Sequence, residues 1–536
     1  IGGEMDFRRY LPRDVVISRE EHDEALDQFF RYHASWGQQT HPVHFRTDMQ
    51  LALSPASTSY SSSSARARTA HYSPMLHNAI LSIGLRFLSH SSSHSNHDLS
   101  SLDTLRKFSD EAKKHMRTEG MNPSVATVQA LAHLASHHNL MAEHNLGWLQ
   151  IGMAVRCGLT LGLNVDPALL VRSGRLTEVQ ARDRNVTYWM TFVQEGLWAP
   201  YIGRPVNWPA HTTTPPSIDT NLDQLPWVAP SGRLALDSQP GMISSAFVET
   251  VKLMAIGDKI LNTLYGITAD LVALSRSGAI SDIRRVGISS IRLHEANTIV
   301  LVASLSLSTW LEALPPALKL NSHSIRSALP HILTMHISWA SFMIMLHKPF
   351  YRPLVNLPTT GNGEQPASNH NAMLAVKQCD RAAVQIGSLL QTWHKLHDLR
   401  FAPPCILESC FTAGTTHLLA YTCARTQRKQ LEALARAKEC TRLMETMAAS
   451  WPAAQQKHEL LEQLTAQYIA KNPPEISSEE RDEGLKGHAD PPVVDLAESF
   501  GTVNPYGSVE EPETGSIAPS AATPIQQIRS PAHPRQ

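Results

Sequence analysis

Histidine supplies 27 side chains in this chain that could bind a metal ion or move a proton near neutral pH. Two of them, His133 and His137, stand four apart in a segment of helical periodicity, and His138 and His144 lie near. A zinc ion needs three or four ligands converging at bond distance. No carboxylate or thiol has matching helical spacing beside this pair, so both histidines read as ordinary polar or partly buried side chains and no metal site is expected. His90, His94 and His97 stand in a Ser-rich loop and read as solvated. The six cysteines, Cys157, Cys379, Cys405, Cys410, Cys423 and Cys440, are scattered with no C-x-x-C pair. Most fall in apolar helical segments, which predicts buried free thiols and no disulfide framework.

Other chemistry has no visible machinery. The sequence holds no G-x-x-x-x-G-K-[ST] phosphate loop, no G-x-G-x-x-G, no G-x-S-x-G elbow and no H-E-x-x-H. No catalytic or cofactor-binding residue is assigned, and a non-enzyme is expected; a helical enzyme resting on the His-rich helices is the alternative from another class. Lys and Arg number 47 against 48 Asp and Glu, so the basic excess of a duplex-binding surface is missing. Arg172, Arg175, Arg182 and Arg184 make only a mild basic cluster, flanked by Glu178 and Asp183 and without interleaved aromatics. Asp110-Glu111 and Lys113-Lys114 mix both signs on one helix and predict local ion pairs on a solvated face. The longest apolar runs, Ile299–Trp310 and Ile332–Leu346, fall short of the roughly 20 residues of a bilayer span. Neither a membrane partner nor a secretory signal peptide is expected, and a reducing intracellular compartment is the default.

The elements that would position any site are helices. Apolar residues recur at helical spacing in Glu21–His33, at Leu76, Ile80, Ile83 and Phe87 behind Pro74, and at Val125, Val128, Leu131 and Ala132. Asn145–Leu161 carries Leu149, Met153, Val155 and Leu159 as its apolar face, and its Gly152 and Gly158 predict close helix packing. Thr177 and Gln180 form a capping box for a helix over Leu176–Leu197. A proline-dense loop spans Pro200–Pro240. Further helices are expected at Met242–Tyr265, Asp282–Leu314, Ser324–Leu346, Asn371–Leu396, Cys405–Thr426 and Arg428–Gln467, the last broken near Trp451-Pro452. No run of alternating strands appears. The fold class is all-α: a large multi-helix domain with a disordered C-terminal tail. Its divisions fall at 1–70 (N-terminal helix and Ser-rich loop), 71–470 (the helical body) and 471–536 (the acidic, Pro-rich tail).

Several segments in order resemble the regulatory domain of fungal zinc-cluster transcription factors. This is the fungal-specific transcription factor domain, or middle homology region, and the likeness is to its nitrogen-assimilation subgroup. His71-Tyr72-Ser73-Pro74-Met75-Leu76 resembles the family's opening, and Pro123-Ser124 through Leu131 its next helix. Gly147-Trp148 through Gly152-Met153 to Leu163 is similar to its "GW" helix, and Tyr188-Trp189 to Gly203-Arg204-Pro205 to its tryptophan helix and turn. Trp310 with Leu314-Pro315, and Leu346-His347-Lys348-Pro349-Phe350, follow the family order. The resemblance covers roughly Glu21 to Gln467. It implies structural or regulatory roles for Trp148, Gly152, Trp189, Gly203, Arg204, Pro205, His347 and Pro349. The family's usual Asp and Ser after the tryptophan helix give way here around Gln194-Glu195 and Trp198-Ala199, and Lys348 stands where Arg is commoner.

The resemblance also implies a DNA-reading module of six cysteines and two zinc ions, normally N-terminal. No Cys precedes Cys157, so the module is not in these residues and no cofactor is expected within them. The start at Ile1-Gly2-Gly3 points to a longer protein that carries the module upstream, more than to its loss. The implied function is the regulatory region of a nuclear factor controlling transcription by RNA polymerase II. Implied partners are DNA through the missing cluster, a second copy, a coactivator and a small-molecule effector. The alternative is a headless modulator that has this domain only and dimerises with full-length regulators or senses a metabolite. Between Pro474 and Thr514 acids outnumber Arg481 and Lys486, with Val493, Leu496, Phe500 and Tyr506 interleaved. That composition suits an acidic activation segment and a solubilising tail equally.

Overall fold

Polar caps ahead of apolar periodicity set where the helices begin. The Ser18 N–H donates to the Glu21 carboxylate at 2.8 Å while the Glu21 N–H donates to Ser18 Oγ at 3.1 Å. Ser124 with Thr127 and Thr177 with Gln180 repeat this reciprocal cap, the latter as expected from the sequence. Pro74 takes the first helical position behind Ser73.

The structure is a computed structural model that describes residues 5–54, 69–88, 98–199, 213–228, 238–261, 283–351 and 367–473, with the backbone alone at 283–293 and 367–372. In chain order the helices are α1 (Arg19–Gln28, running on as a π turn over Phe29–Ala34), α2 (Pro42–Leu53), α3 (Pro74–Gly84), α4 (Leu102–Met121), α5 (Val125–Leu140), α6 (His144–Thr160), α7 (Ala168–Arg172), α8 (Glu178–Trp198) and α9 (Thr220–Gln224). There follow α10 (Ile243–Lys259), α11 (Ile283–Ala313), α12 (Pro330–His347), α13 (Ala367–His397), α14 (Pro404–Cys423), α15 (Gln427–Ala448) and α16 (Pro452–Lys471). The β-structure among the described residues is a two-residue antiparallel bridge of Pro226–Trp227 with Gln239–Pro240. The all-α expectation holds. The largest boundary shift is at Ser324: the helix expected there begins at Pro330, because proline forces the extended conformation seen at Leu329. The Pro200–Pro240 loop is described only at 213–228 and 238–240. Within the expected tail only 471–473 are described, and 474–536 lies outside the described residues.

Two helices sit at the centre. All eleven residues of α3 are buried, and it packs on α1, α4 and α5. In α12 every residue but Trp339 is buried, against α10, α11, α13 and α14. A helix apolar on all sides has to lie inside a core. One apolar cluster runs through both, from Leu11 to Leu461, and takes in Phe29 and Phe45 from before residue 71.

Three expectations need correcting. In α6, Leu149 is 63% exposed and Met153 40%, so they are not its inner face; Gly147, Gln150, Ile151, Ala154 and Val155 are. Nothing lies within 4 Å of a side chain built at Gly152, and Gly158 meets only Leu163, so neither marks a close crossing. Gly147 does instead: a Cβ there would stand 2.5 Å from Trp198 Cη2. Finally, His294–Ala313 in α11 reaches 20 residues at mean hydropathy 1.2, which by length and composition suffices for a membrane span. Its Ala296, Ala303, Leu307 and Trp310 are buried, on a helix that packs against α10 and α12, while Leu301, Val302 and Leu305 are exposed.

Arg86, at the end of α3, ties distant parts of the chain together. It donates to the carbonyls of Ala449 and Ser450 at 2.7 Å, just past α15, and to that of Ser100 at 2.6 Å. A cation at a helix C-terminus meets the negative end of the dipole and unpaired carbonyls. Arg86→Met is expected to lower stability by about 2 kcal/mol, measured by urea unfolding; an unchanged midpoint would refute this role.

Candidate functional site

The residues singled out by the sequence do not converge on one pocket. Trp148 on α6 is half-buried against the core, and Gly152 one turn later faces open space. Trp189 on α8 is buried and donates its indole N–H to the Thr214 carbonyl at 2.8 Å. His347 ends α12 in a buried position, and Pro349 lies in the 3-10 turn Lys348–Phe350 that follows. Lys348 Nζ donates to Thr415 Oγ1 at 3.2 Å, and burial pulls its pKa down to about 8. Gly203, Arg204 and Pro205 lie outside the described residues. Trp148, Trp189 and His347 lie in or against the core, whereas Gly152 does not.

His133 and His137 are fully buried, more so than expected. Thr40 Oγ1 lies 2.9 Å from His133 Nε2, and Ser82 O lies 3.1 Å from His137 Nδ1. Burial, then the neighbouring His138, pushes His137 down to about 3. The Arg cluster also differs from a solvated patch: Arg182 pairs with Asp219 at 3.2 Å, and Arg184 donates to the Leu161 carbonyl at 2.5 Å. Lys113 and Lys114 do pair locally, with Asp110 at 3.0 Å and Glu111 at 2.6 Å.

The richest polar constellation joins α2, the segment before α3, and α8. His41 caps α2, its Nδ1 accepting from the His44 N–H at 3.3 Å, and the two rings stack with centroids 3.8 Å apart. His71 stands between two carboxylates: Nδ1 is 3.0 Å from Asp48 Oδ2 and Nε2 2.8 Å from Asp183 Oδ2. With a carboxylate at each nitrogen, the arrangement favours a ring that donates from both, an imidazolium. Burial opposes that charge, but the hydrogen bonds and charges of Asp183 and Asp48 outweigh it, so the His71 pKa is raised. His44 Nδ1 lies 3.8 Å from Asp183 Oδ1, beyond hydrogen-bond reach, and burial lowers its pKa. Burial and the neighbouring His44 push His41 down to about 4. A small cavity of ≈ 20 Å³, room for a water, is lined by Gln38, His41, His71, Arg182, Asp183 and Asp219 among others.

Sequence reasoning missed this cluster because its members come from positions 41 to 219. The local signal was His41, His44 and Asp48, three and four apart on one helix. His71 and Asp183 join them only through the packing of the core.

The cysteines do not suit a six-thiolate, two-zinc cluster. Cys379, Cys410 and Cys440 are buried and Cys405 half-buried, on α13, α14 and α15, while Cys157 is half-buried on α6 and Cys423 is exposed, against the expectation of burial. Burial pushes the Cys405 thiol up to about 12 and raises Cys379, while the hydrogen bond to Cys440, then burial, raises Cys410. Metal-binding thiols must be deprotonated, and these are held as neutral core groups.

Residues 26–281 match the family model described as the fungal specific transcription factor domain. The chain is 25% identical over 407 residues to the nitrogen assimilation transcription factor nirA of Emericella nidulans, covering 75% of this chain and 41% of that protein. It is 24% identical over 423 residues to the nitrogen assimilation transcription factor nit-4 of Neurospora crassa, covering 76% of this chain and 34% of that one. The chain thus spans less than half the length of these curated relatives.

Proposed function

We propose that the chain, whose residues 26–281 match the fungal specific transcription factor domain, is the regulatory region of a fungal transcription factor, working in the nucleus without a catalytic step. One observation supports this most: relatives matched across three quarters of the chain are transcription factors, and the matched length is one helical body around a common core. Such a body acts by packing. It holds a neighbouring segment in one arrangement and releases it when the helices repack. DNA is read by a zinc-cluster module outside these residues, since the cysteines here do not suit one, and self-association and an effector complete the reading.

The test is a fusion of residues 1–536 to a heterologous DNA-binding domain with a fungal reporter. Reporter output is expected to differ from that of the DNA-binding domain alone, in either direction; identical output would overturn the reading. Fused by itself, Pro473–Gln536 is expected to activate the reporter, and silence there would remove the activation segment.

A further inference from the structure

We propose that His44, His71 and Asp183 bind one divalent transition-metal ion of the zinc class, with Asp48 orienting His71. This goes beyond the regulatory reading and does not depend on it.

The three donor groups already face one another, with their ligand atoms all within 4.8 Å. Ligands on a tetrahedral ion with bonds of about 2.1 Å stand roughly 3.4 Å apart, so closing the site takes side-chain shifts of about an ångström. Two imidazoles and a carboxylate form a borderline donor set that favours zinc over magnesium or calcium.

The surroundings are those of a metal-binding histidine. Such a ring characteristically gives its second N–H to a carboxylate, which fixes its orientation. Asp48 Oδ2 takes that role twice over, accepting from His71 Nδ1 at 3.0 Å and from the His71 backbone N–H at 2.9 Å. The anchored ring points Nε2 at Asp183. His44 Nδ1 is buried and without a hydrogen-bond partner, and it stands 3.8 Å from Asp183 Oδ1, close to a ligand–ligand separation. An ion would give this nitrogen a partner.

Charge and space agree. Asp48, Asp183 and Asp219 bring three carboxylates to the cluster; Arg182 pairs with Asp219, and the remaining positive charge is the His71 proton, which the metal displaces. The adjoining cavity offers an open coordination position for water. On binding, the metal takes the place of the proton on His71 Nε2, that proton passes to solvent, and the ring becomes a neutral ligand. An occupied site would fasten α2 and the entry to α3 onto α8.

The experiment uses the full chain, stripped with a chelator and titrated with Zn²⁺ and with Co²⁺. One equivalent is expected to bind, with Co²⁺ giving visible d–d bands and no thiolate charge-transfer band. His44→Gln and Asp183→Asn should each weaken binding at least tenfold, and Asp48→Asn about tenfold. X-ray absorption of the unaltered Zn²⁺-loaded chain gives a readout that does not depend on variants folding, and two imidazoles in an N/O shell are expected. Absence of binding, a sulfur ligand, fewer than two imidazoles, or folded variants of undiminished affinity would each overturn the proposal.

Discussion

Acidification from about pH 6.5 to about pH 5.5 is expected to cost this fold at least roughly 3 kcal/mol of stability. Among the buried histidines with depressed pKa values, His33 and His137 lie at about 3, and His331, His347 and His417 at about 4, while burial pushes His77 and His133 well below the ordinary value and adds to the same trend. Burial is the leading cause in each. The ordinary value is 6.5, so between the folded value and 6.5 the unfolded chain binds more protons. The contribution of each ring is therefore complete above 6.5 and is lost as pH falls toward the folded value. Over that one unit each costs on the order of 1 kcal/mol. Two groups oppose the trend. Burial raises Glu195 from 4.5 to about 7, and the carboxylates around His71 raise its pKa, so both favour the folded state as protons are added. Glu195 offsets about 1 kcal/mol over this unit, and His71 adds in the same direction.

Urea unfolding at a series of pH values, followed by near-UV circular dichroism, measures the slope. His33→Phe should reduce it by about one histidine's share, since His33 stacks on Phe29 with centroids 5.3 Å apart and a ring can stay there uncharged. A midpoint that does not move across this pH range would show that these imidazoles are not buried as described.

Two glycines five residues apart on α6 should respond to alanine with opposite signs. At Gly147 a Cβ would stand 2.5 Å from Trp198 Cη2 and 3.0 Å from the Ala135 carbonyl oxygen, a rigid ring and a backbone atom. Gly147→Ala is therefore expected to destabilise by about 1–3 kcal/mol, even after the gain in helix propensity. At Gly152 the space is open, and Gly152→Ala should stabilise by about 1 kcal/mol, because alanine loses less backbone freedom in a helix interior. The shift in urea midpoint for each variant decides it. Shifts of the same sign would mean that the contact of α6 with Trp198 is misplaced.

That pair shows where sequence reading stopped. Both glycines stand in the same helical pattern, and periodicity alone assigned the close crossing to Gly152 and the inner face to Leu149. Which side of α6 lies inside depends on Trp198 of α8 and Ala135 of α5, and neither spacing nor propensity in α6 contains that information. The same limit hid the cluster of His44, His71 and Asp183, while His133 and His137 drew attention through i, i+4 spacing and proved to be buried core groups.

By itself the sequence determined the helical class, most helix limits and the family likeness. Caps such as Thr177 with Gln180, stops such as Pro452, and apolar periodicity act over a few residues, so they are written locally. Tertiary structure alone decided which helices are central, which faces are inner, which histidines lose their charge and which polar groups meet. Desolvation and convergence depend on neighbours brought together from far along the chain, as Arg86 meets Ser450 across 364 residues.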